Sequence, residues 1–362
     1  MTPALTGHPS PAGTIVGMAP ISWRDRRVLI TGATGFKGAW LTELLLARGA
    51  RVVGAGLPAD TEPALSELLR LDERIDLHLG DLRDAATATA WLEAAQPEVV
   101  FHLAAQALVR RGYADPIGTW STNVLGTVHL LEAARATPSV RAVVVVTTDK
   151  VYAGDDGTPH REDDPLGGRG PYSTSKVAAE LATAEARRRW ADRGLATARA
   201  GNTLGGGDFA PDRLVCDCVR AVQAGTTLEL RNPAAVRPWL HVLDTLDGYV
   251  RIAEALLGGD TSAAWNIGPV PGAEPTVEEV ARVVLDRLGA PGALVVGPGG
   301  GPPERGLLRL DASKADAELG WRPRLSTDAA LAWTGDWYAR WIAGEDPLSL
   351  CAEQIAAWEA LS

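Results

Sequence analysis

The chain is poor in cysteine: three among 362 residues, an odd number too small for a disulfide framework. Cys216 and Cys218 form a C-x-C pair with no second pair of ligands nearby, so both read as ordinary small residues in a reducing compartment, and no metal site is expected. Long apolar runs are also missing. No stretch reaches the roughly 18–20 residues of a membrane span, so no membrane association is expected. Positive charge is scarce: 35 basic against 45 acidic residues give a net charge of −10, which argues against a broad nucleic-acid surface. The one local basic run, Arg187-Arg188-Arg189, reads as a solvated helix face. Residues 1–20 lack both the basic start and the apolar core of a signal peptide and read as a disordered tail, in keeping with a cytoplasmic protein. No internal repeat is present.

What remains is an ordinary globular composition, 46% apolar and 22% charged, on a chain long enough for one large or two medium domains. Strand and helix patterns alternate from Arg27 onwards. Val28-Leu29-Ile30, Arg51-Val52-Val53-Gly54, Val99-Val100-Phe101-His102-Leu103 and Ala142–Thr148 read as strands. Residues 37–48, about 117–136 and 174–190 read as helices. This alternation predicts an α/β fold, a Rossmann-type doubly wound parallel sheet with right-handed crossovers. Beyond residue 200, Gly205-Gly206-Gly207, Asn232-Pro233, Arg237-Pro238 and the Gly/Pro-rich stretch 297–303 break the rhythm. The expected division is therefore a dinucleotide-binding domain over 21–200 and a smaller C-terminal substrate lobe over 201–362, with some chain returning to the first domain. Trp321, Trp333, Trp337, Trp341 and Trp358, near helical spacing, are expected to pack rather than to form a ligand platform.

Two local patterns carry chemistry. Directly after the first strand comes Thr31-Gly32-Ala33-Thr34-Gly35-Phe36-Lys37-Gly38, a G-x-x-G-x-x-G turn opening a helix. Its glycines allow a tight turn and let backbone approach a pyrophosphate at the helix N-terminus. The second strand ends Gly54-Ala55-Gly56 with neither an acid nor a basic residue, Asp60 being the nearest acid; the missing base favours NAD over NADP. Asp81, after the third strand, suits either an adenine contact or a plain turn. The second pattern is the β-branched run 142–148, a strand buried on both faces, followed at once by Asp149 and Lys150. The carboxyl edge of such a sheet is where ligands bind. Tyr172 and Lys176 follow 22 residues later, four apart and hence on one helix face.

Gly32–Gly38, Asp81-Leu82, His102-Leu103-Ala104-Ala105-Gln106, Asn123 and Tyr172-x-x-x-Lys176 together resemble the extended short-chain dehydrogenases/reductases. More narrowly, TGATGFKGAWL (31–41), AAQALVRRGYADP (104–116), TTDKVY (147–152), EDDPLGG (162–168), RAGNTLGGGDFAPDRL (199–214), RNPAAVRPWLHVL (231–243) and WNIGP (265–269) resemble the CDP-glucose 4,6-dehydratases. The resemblance implies a tightly held NAD that is reduced and reoxidised in each cycle, bound by Gly32, Thr34, Gly35, Phe36, Lys37, Gly38, Asp81, Leu82, Ala104, Ala105, Gln106, Asn123, Thr147, Tyr172 and Lys176. It implies a nucleotide-diphosphate hexose as substrate, CDP-glucose favoured, held by Gln106, Asn202, Arg213, Leu214, Arg231, Arg237 and Arg305. Tyr172, assisted by Thr148 and the charge of Lys176, would take the C4 hydroxyl proton. Asp149, provided burial lets it hold a proton, would protonate the leaving C6 hydroxyl, and Lys150, provided desolvation leaves it neutral, would take the C5 proton. The resembling family pairs helices matching 117–136 and 174–190 between subunits, which implies a homodimer or homotetramer. Leu240, Cys216, Pro303 and Leu307 depart from the pattern. Two other readings stay open: a nucleotide-sugar 4-epimerase, which needs Tyr172 and Lys176 but not Asp149 and Lys150, and a non-catalytic dinucleotide-binding sensor.

Overall fold

A computed structural model describes residues 21–361 except 155–156, 191–192, 231, 261–262, 270–271, 273 and 298–307. The expected tail, Arg231 and Arg305 lie outside the described residues. Among the described residues there are eleven strands: β1 (Arg27–Thr31), β2 (Arg51–Gly56), β3 (Asp76–Leu79), β4 (Val99–His102), β5 (Ala142–Val146), β6 (Gly194–Ala200), β7 (Asn202–Leu204), β8 (Leu228–Leu230), β9 (Trp239–His241), β10 (Ala264–Ile267) and β11 (Leu294–Val296).

Seven of them form one sheet in the order β10-β6-β5-β4-β1-β2-β3, and every neighbouring pair is parallel. Strand alternation explains how both faces are filled. Val28, Ile30, Val99, Phe101, Val144 and Val146 point into one core, while Leu29, Val100, Val143 and Val145 point into the other. The order reverses between β1 and β4, and ligand crevices in open sheets form outside the carboxyl ends of strands at such a switch point. β10 shows that chain beyond residue 200 returns to this sheet. The two-stranded pairs β7-β9 and β8-β11 lie outside it.

Of the late tryptophans, Trp321, Trp337 and Trp358 are buried, and Trp333 and Trp341 pack against the same core. Cys216, Cys218 and Cys351 are free thiols, all buried. In the basic run, Arg189 pairs with Glu132 and Glu185, and Arg187 is half-buried. The helical stretch expected near 117–136 is Pro116–Trp120, a π-helical turn at Ser121–Leu125 and Gly126–Ala136. No helix among the described residues is long and apolar enough to cross a membrane.

Candidate active site

The glycine turn lies between β1 and the helix Phe36–Ala47. Gly32 takes a left-handed backbone (φ 78°), and a Cβ there would lie 2.8 Å from the Ala104 nitrogen. A Cβ on Gly38 would lie 2.0 Å from the Gly32 carbonyl, so only glycine lets the helix lie this close to the turn. No side chain caps the N-terminus of the Phe36–Ala47 helix, and no acid occupies its first turn. Its N–H groups are left for an anion, which fits the pyrophosphate of a dinucleotide.

The loop after β4 borders this turn. His102 is buried between Thr31 and Thr127, its Nδ1 2.7 Å and its Nε2 3.0 Å from their hydroxyls, and burial pulls its pKa down to about 3. The side chain of Asn123, on the π-helical turn, accepts from the Gln106 N–H and donates to the Gln106 carbonyl and to Ser175. The Gln106 side chain donates to Thr119 and accepts from the Leu108 N–H. Both amides thus shape the loop carrying Ala104 and Ala105. Asp81 is held by Arg83, whose N–H and guanidinium bond its two oxygens and keep its carboxyl below the usual range. Arg83 thus fixes Asp81 in its turn, and the neighbouring Leu82 is buried. Leu214 is likewise packed against the core. Asp60 pairs with Arg111 at 3.1 Å on the surface.

At the carboxyl end of β5, Thr147 and Thr148 continue the chain into a short turn, Asp149–Val151. Asp149 is fully buried. Its Oδ1 accepts from the Thr148 hydroxyl and from Lys150 Nζ, both at 2.9 Å, and its Oδ2 has no hydrogen-bond partner among the described residues. Lys150 Nζ also reaches Asn202 Oδ1 at 3.3 Å.

Tyr172 and Lys176 stand on the helix Gly170–Arg188, both buried. Burial raises the Tyr172 phenol above its ordinary pKa. The Thr148 side chain and the Arg213 charge oppose that rise, and the Asp149 charge adds to it. Lys176 donates to the Val146 carbonyl at 2.9 Å, and burial lowers its pKa to about 8. Besides Lys176, one helical turn on, Arg213 is a further cation favouring the charged phenol. Lys37, from the glycine turn, reaches the same place. Its Nζ lies 3.4 Å from the Tyr249 hydroxyl, and burial together with Arg213, Lys150 and Lys176 brings its pKa down to about 7.

Arg213 caps the helix Leu214–Ala224. Its Nε is buried without a hydrogen-bond partner among the described residues, 3.7 Å from Asp208 Oδ2. Arg237 is buried, with its Nη1 on the Val236 carbonyl. The structure therefore brings Thr148, Asp149, Lys150, Tyr172, Lys176, Asn202 and Arg213 to one sheet edge beside the glycine turn. Sequence reasoning missed Glu180, Arg199, Tyr152 and Tyr249, which support these residues from behind. Glu180 was signalled only by being a charge on the same helix stripe as Tyr172 and Lys176.

Comparison with known proteins agrees with this geometry. The profile of the NAD dependent epimerase/dehydratase family matches residues 28–268. The chain is 41% identical to the CDP-glucose 4,6-dehydratase of Salmonella typhimurium over 92% of its own length and 96% of that protein. It is 32% identical to the UDP-glucose 4-epimerase of Mycolicibacterium smegmatis, over 86% and 98%. Among solved structures, the dTDP-glucose 4,6-dehydratase from Streptomyces venezuelae with NAD bound superposes with a TM-score of 0.76 at 31% identity, covering 89% of this chain and 99% of that one.

Proposed function

We propose that this chain, which belongs to the NAD dependent epimerase/dehydratase family, is a nucleotide-sugar 4,6-dehydratase converting CDP-glucose to CDP-4-dehydro-6-deoxyglucose and water. The observation that carries the reading is the turn after β5, where a buried carboxylate, one of its oxygens unpartnered among the described residues, is paired to a lysine beside the Tyr172 phenol. A 4-epimerase of this fold has no use for that pair, because it breaks no C5–H or C6–O bond.

Bound in the cradle opened by the glycine turn, NAD would supply reversible hydride chemistry, uptake from the sugar C4 and return to C6. The protein's own residues manage the protons. Tyr172, as the phenolate, takes the C4 hydroxyl proton, with Thr148 beside the same oxygen and the charges of Lys176 and Arg213 favouring the charged phenol. The resulting 4-ketone acidifies C5–H. Lys150 as the free amine takes that proton, and Asp149 as the acid gives one to the departing C6 hydroxyl, so that water leaves. A proton then returns to C5, and no cofactor is consumed.

Gly32, Thr34, Gly35, Phe36, Lys37, Gly38, Ala104 and Ala105 form the cofactor cradle, with Gln106 and Asn123 shaping its loop and Thr147, Tyr172 and Lys176 on its nicotinamide side. Arg213 and Arg237, with Asn202, are assigned to the sugar-nucleotide diphosphate, because guanidinium forks suit phosphate oxygens. Residues 21–200 are assigned to cofactor binding, and 201–362 mainly to the substrate. The protein is taken to be cytoplasmic and a homodimer. Support for the dimer is an apolar surface around Pro116–Leu125, where Ile117 is 80% exposed and Trp120 and Leu125 are exposed beside it.

The test is incubation with CDP-, UDP-, dTDP- and GDP-glucose, followed by product mass. Loss of one water from CDP-glucose is expected. A C4 epimer of unchanged mass sinks the dehydratase reading.

A further inference from the structure

We propose that Glu180 is a positioning residue of the reaction, which with Arg199 brackets the Asp149–Lys150 turn from both ends and holds it against the helix that carries Tyr172 and Lys176. The inference rests on the dehydratase reading above and concerns residues assigned there to neither substrate nor cofactor.

Tyr172, Lys176 and Glu180 are spaced by four residues and form one stripe on the Gly170–Arg188 helix. They meet three consecutive residues at the end of β5. Tyr172 interacts with the Thr148 side chain. Lys176 Nζ donates to the Val146 carbonyl at 2.9 Å. Glu180 Oε1 accepts from the Thr147 hydroxyl at 2.5 Å. The chain therefore enters the Asp149–Lys150 turn with its last extended residues fixed to the helix one by one.

The carboxylate of Glu180 is itself fixed on every side. Its Oε1 also accepts from Arg199 Nε at 3.0 Å, and its Oε2 accepts from Arg199 Nη2 at 2.9 Å and from the Thr197 hydroxyl at 2.8 Å. Arg199 then reaches past the turn. Its Nη1 donates to the Tyr152 hydroxyl at 3.0 Å and to the Glu162 carbonyl at 2.9 Å, and the Tyr152 hydroxyl donates to Asn266 Oδ1 on β10 at 2.5 Å. Thr147, just before the turn, hangs on Glu180, and Tyr152, just after it, hangs on Arg199. A buried ion pair contributes little net stability compared with an apolar pair of the same volume. The geometry here gives this one a different use, which is to fix where the Asp149 and Lys150 side chains stand.

A second consequence is electrostatic. The charged and titratable groups around Lys176 are Tyr172 and Glu180 on its own helix, with Arg199 on β6 behind Glu180, His102 on β4 and Lys37 from the glycine turn, which in turn feels Asp149, Lys150 and Arg213. Burial lowers the Lys176 pKa to about 8, and the charge of Glu180 is what works against that fall. Removing the Glu180 charge therefore makes Lys176 lose its proton at lower pH.

The test uses the full chain and two variants: Glu180→Gln, which keeps the shape but loses the charge, and the double variant Glu180→Leu with Arg199→Met, which leaves no unpaired buried guanidinium if the single variant fails to fold. Folding is checked by circular dichroism and Tm. With CDP-glucose and NAD, kcat is measured against pH, and the reduced cofactor is followed in a single turnover. We expect kcat to fall at least tenfold, the alkaline limb of the profile to move down by about one pH unit, and reduced cofactor to accumulate above the wild-type trace as elimination slows more than oxidation. A pair that only stabilised the fold would lower Tm and leave the limb and the trace in place. A folded variant with both unmoved overturns the inference alone. A wild-type protein that forms no 4-keto sugar overturns the dehydratase reading and the inference with it.

Discussion

Lys150 Nζ lies 2.9 Å from Asp149 Oδ1, so the two groups that separate dehydration from epimerisation share one hydrogen bond. As an ion pair neither can act, because a carboxylate cannot protonate the C6 hydroxyl and an ammonium cannot take the C5 proton. Moving one proton across that bond yields an acid and a free amine together, with no change in net charge.

Asp149→Asn is therefore expected to permit cofactor reduction and to block loss of the C6 hydroxyl, since an amide is a very poor proton donor. Lys150→Met should slow elimination as well, and solvent deuterium incorporation at C5 should fall with it. Product mass together with single-turnover absorbance reads both steps. Release of 4-keto-6-deoxy sugar at wild-type rates by both variants would show the roles to be misassigned.

Tyr172→Phe should lower turnover by more than about 10²-fold and leave NAD binding nearly unchanged, because the ring still packs and only the hydroxyl is gone. Steady-state kinetics and an NAD titration on the same preparation check this. Near-normal turnover would mean that another group takes the C4 hydroxyl proton.

The cofactor should be recycled within each turnover. Product should form without an added hydride donor and without matching accumulation of NADH. Stoichiometric NADH would point to a simple dehydrogenase instead.

Gly38→Ala should destabilise the protein by about 1–3 kcal/mol and weaken NAD binding, because its Cβ would lie 2.0 Å from the Gly32 carbonyl and the helix would have to move off the turn. Tm and NAD titration measure the two effects, and wild-type values for both would contradict the packing of the cradle.

Acid should destabilise the fold through its buried histidines. Burial pulls His102 and His241 down to about 3, whereas an unfolded histidine titrates near about 6.5. Between those values the unfolded chain binds more protons, so their contribution to stability is present above about pH 6.5 and is lost as pH falls towards 3. The slope is on the order of 1 kcal/mol per pH unit for each histidine. His241→Asn can keep the helix cap on the Leu243 N–H and should flatten the fall of denaturation free energy between pH 6 and 4. An unchanged slope would mean that other groups carry it.

Much of this protein is determined by sequence within short reach. The β-branched run 142–146 makes β5, the spacing of Gly32, Gly35 and Gly38 makes a phosphate-binding turn, and the four-residue interval sets Tyr172 and Lys176 on one face, because strand and helix geometry fix each of these locally. Other features only the tertiary structure decided. Lys37 reads as one more residue of the cofactor turn until the fold carries its amine to the groups around Asp149. The hydrogen bonds that tie Gln106 and Asn123 to each other, to Thr119 and to Ser175 also emerge only from the fold. Glu180 and Arg199 stand 19 positions apart and meet only because β6 lies beside β5 under the Gly170–Arg188 helix. A local pattern constrains which way a side chain leaves its own helix or strand. Which charge it meets there depends on how distant elements stack, and no short stretch of sequence contains that information.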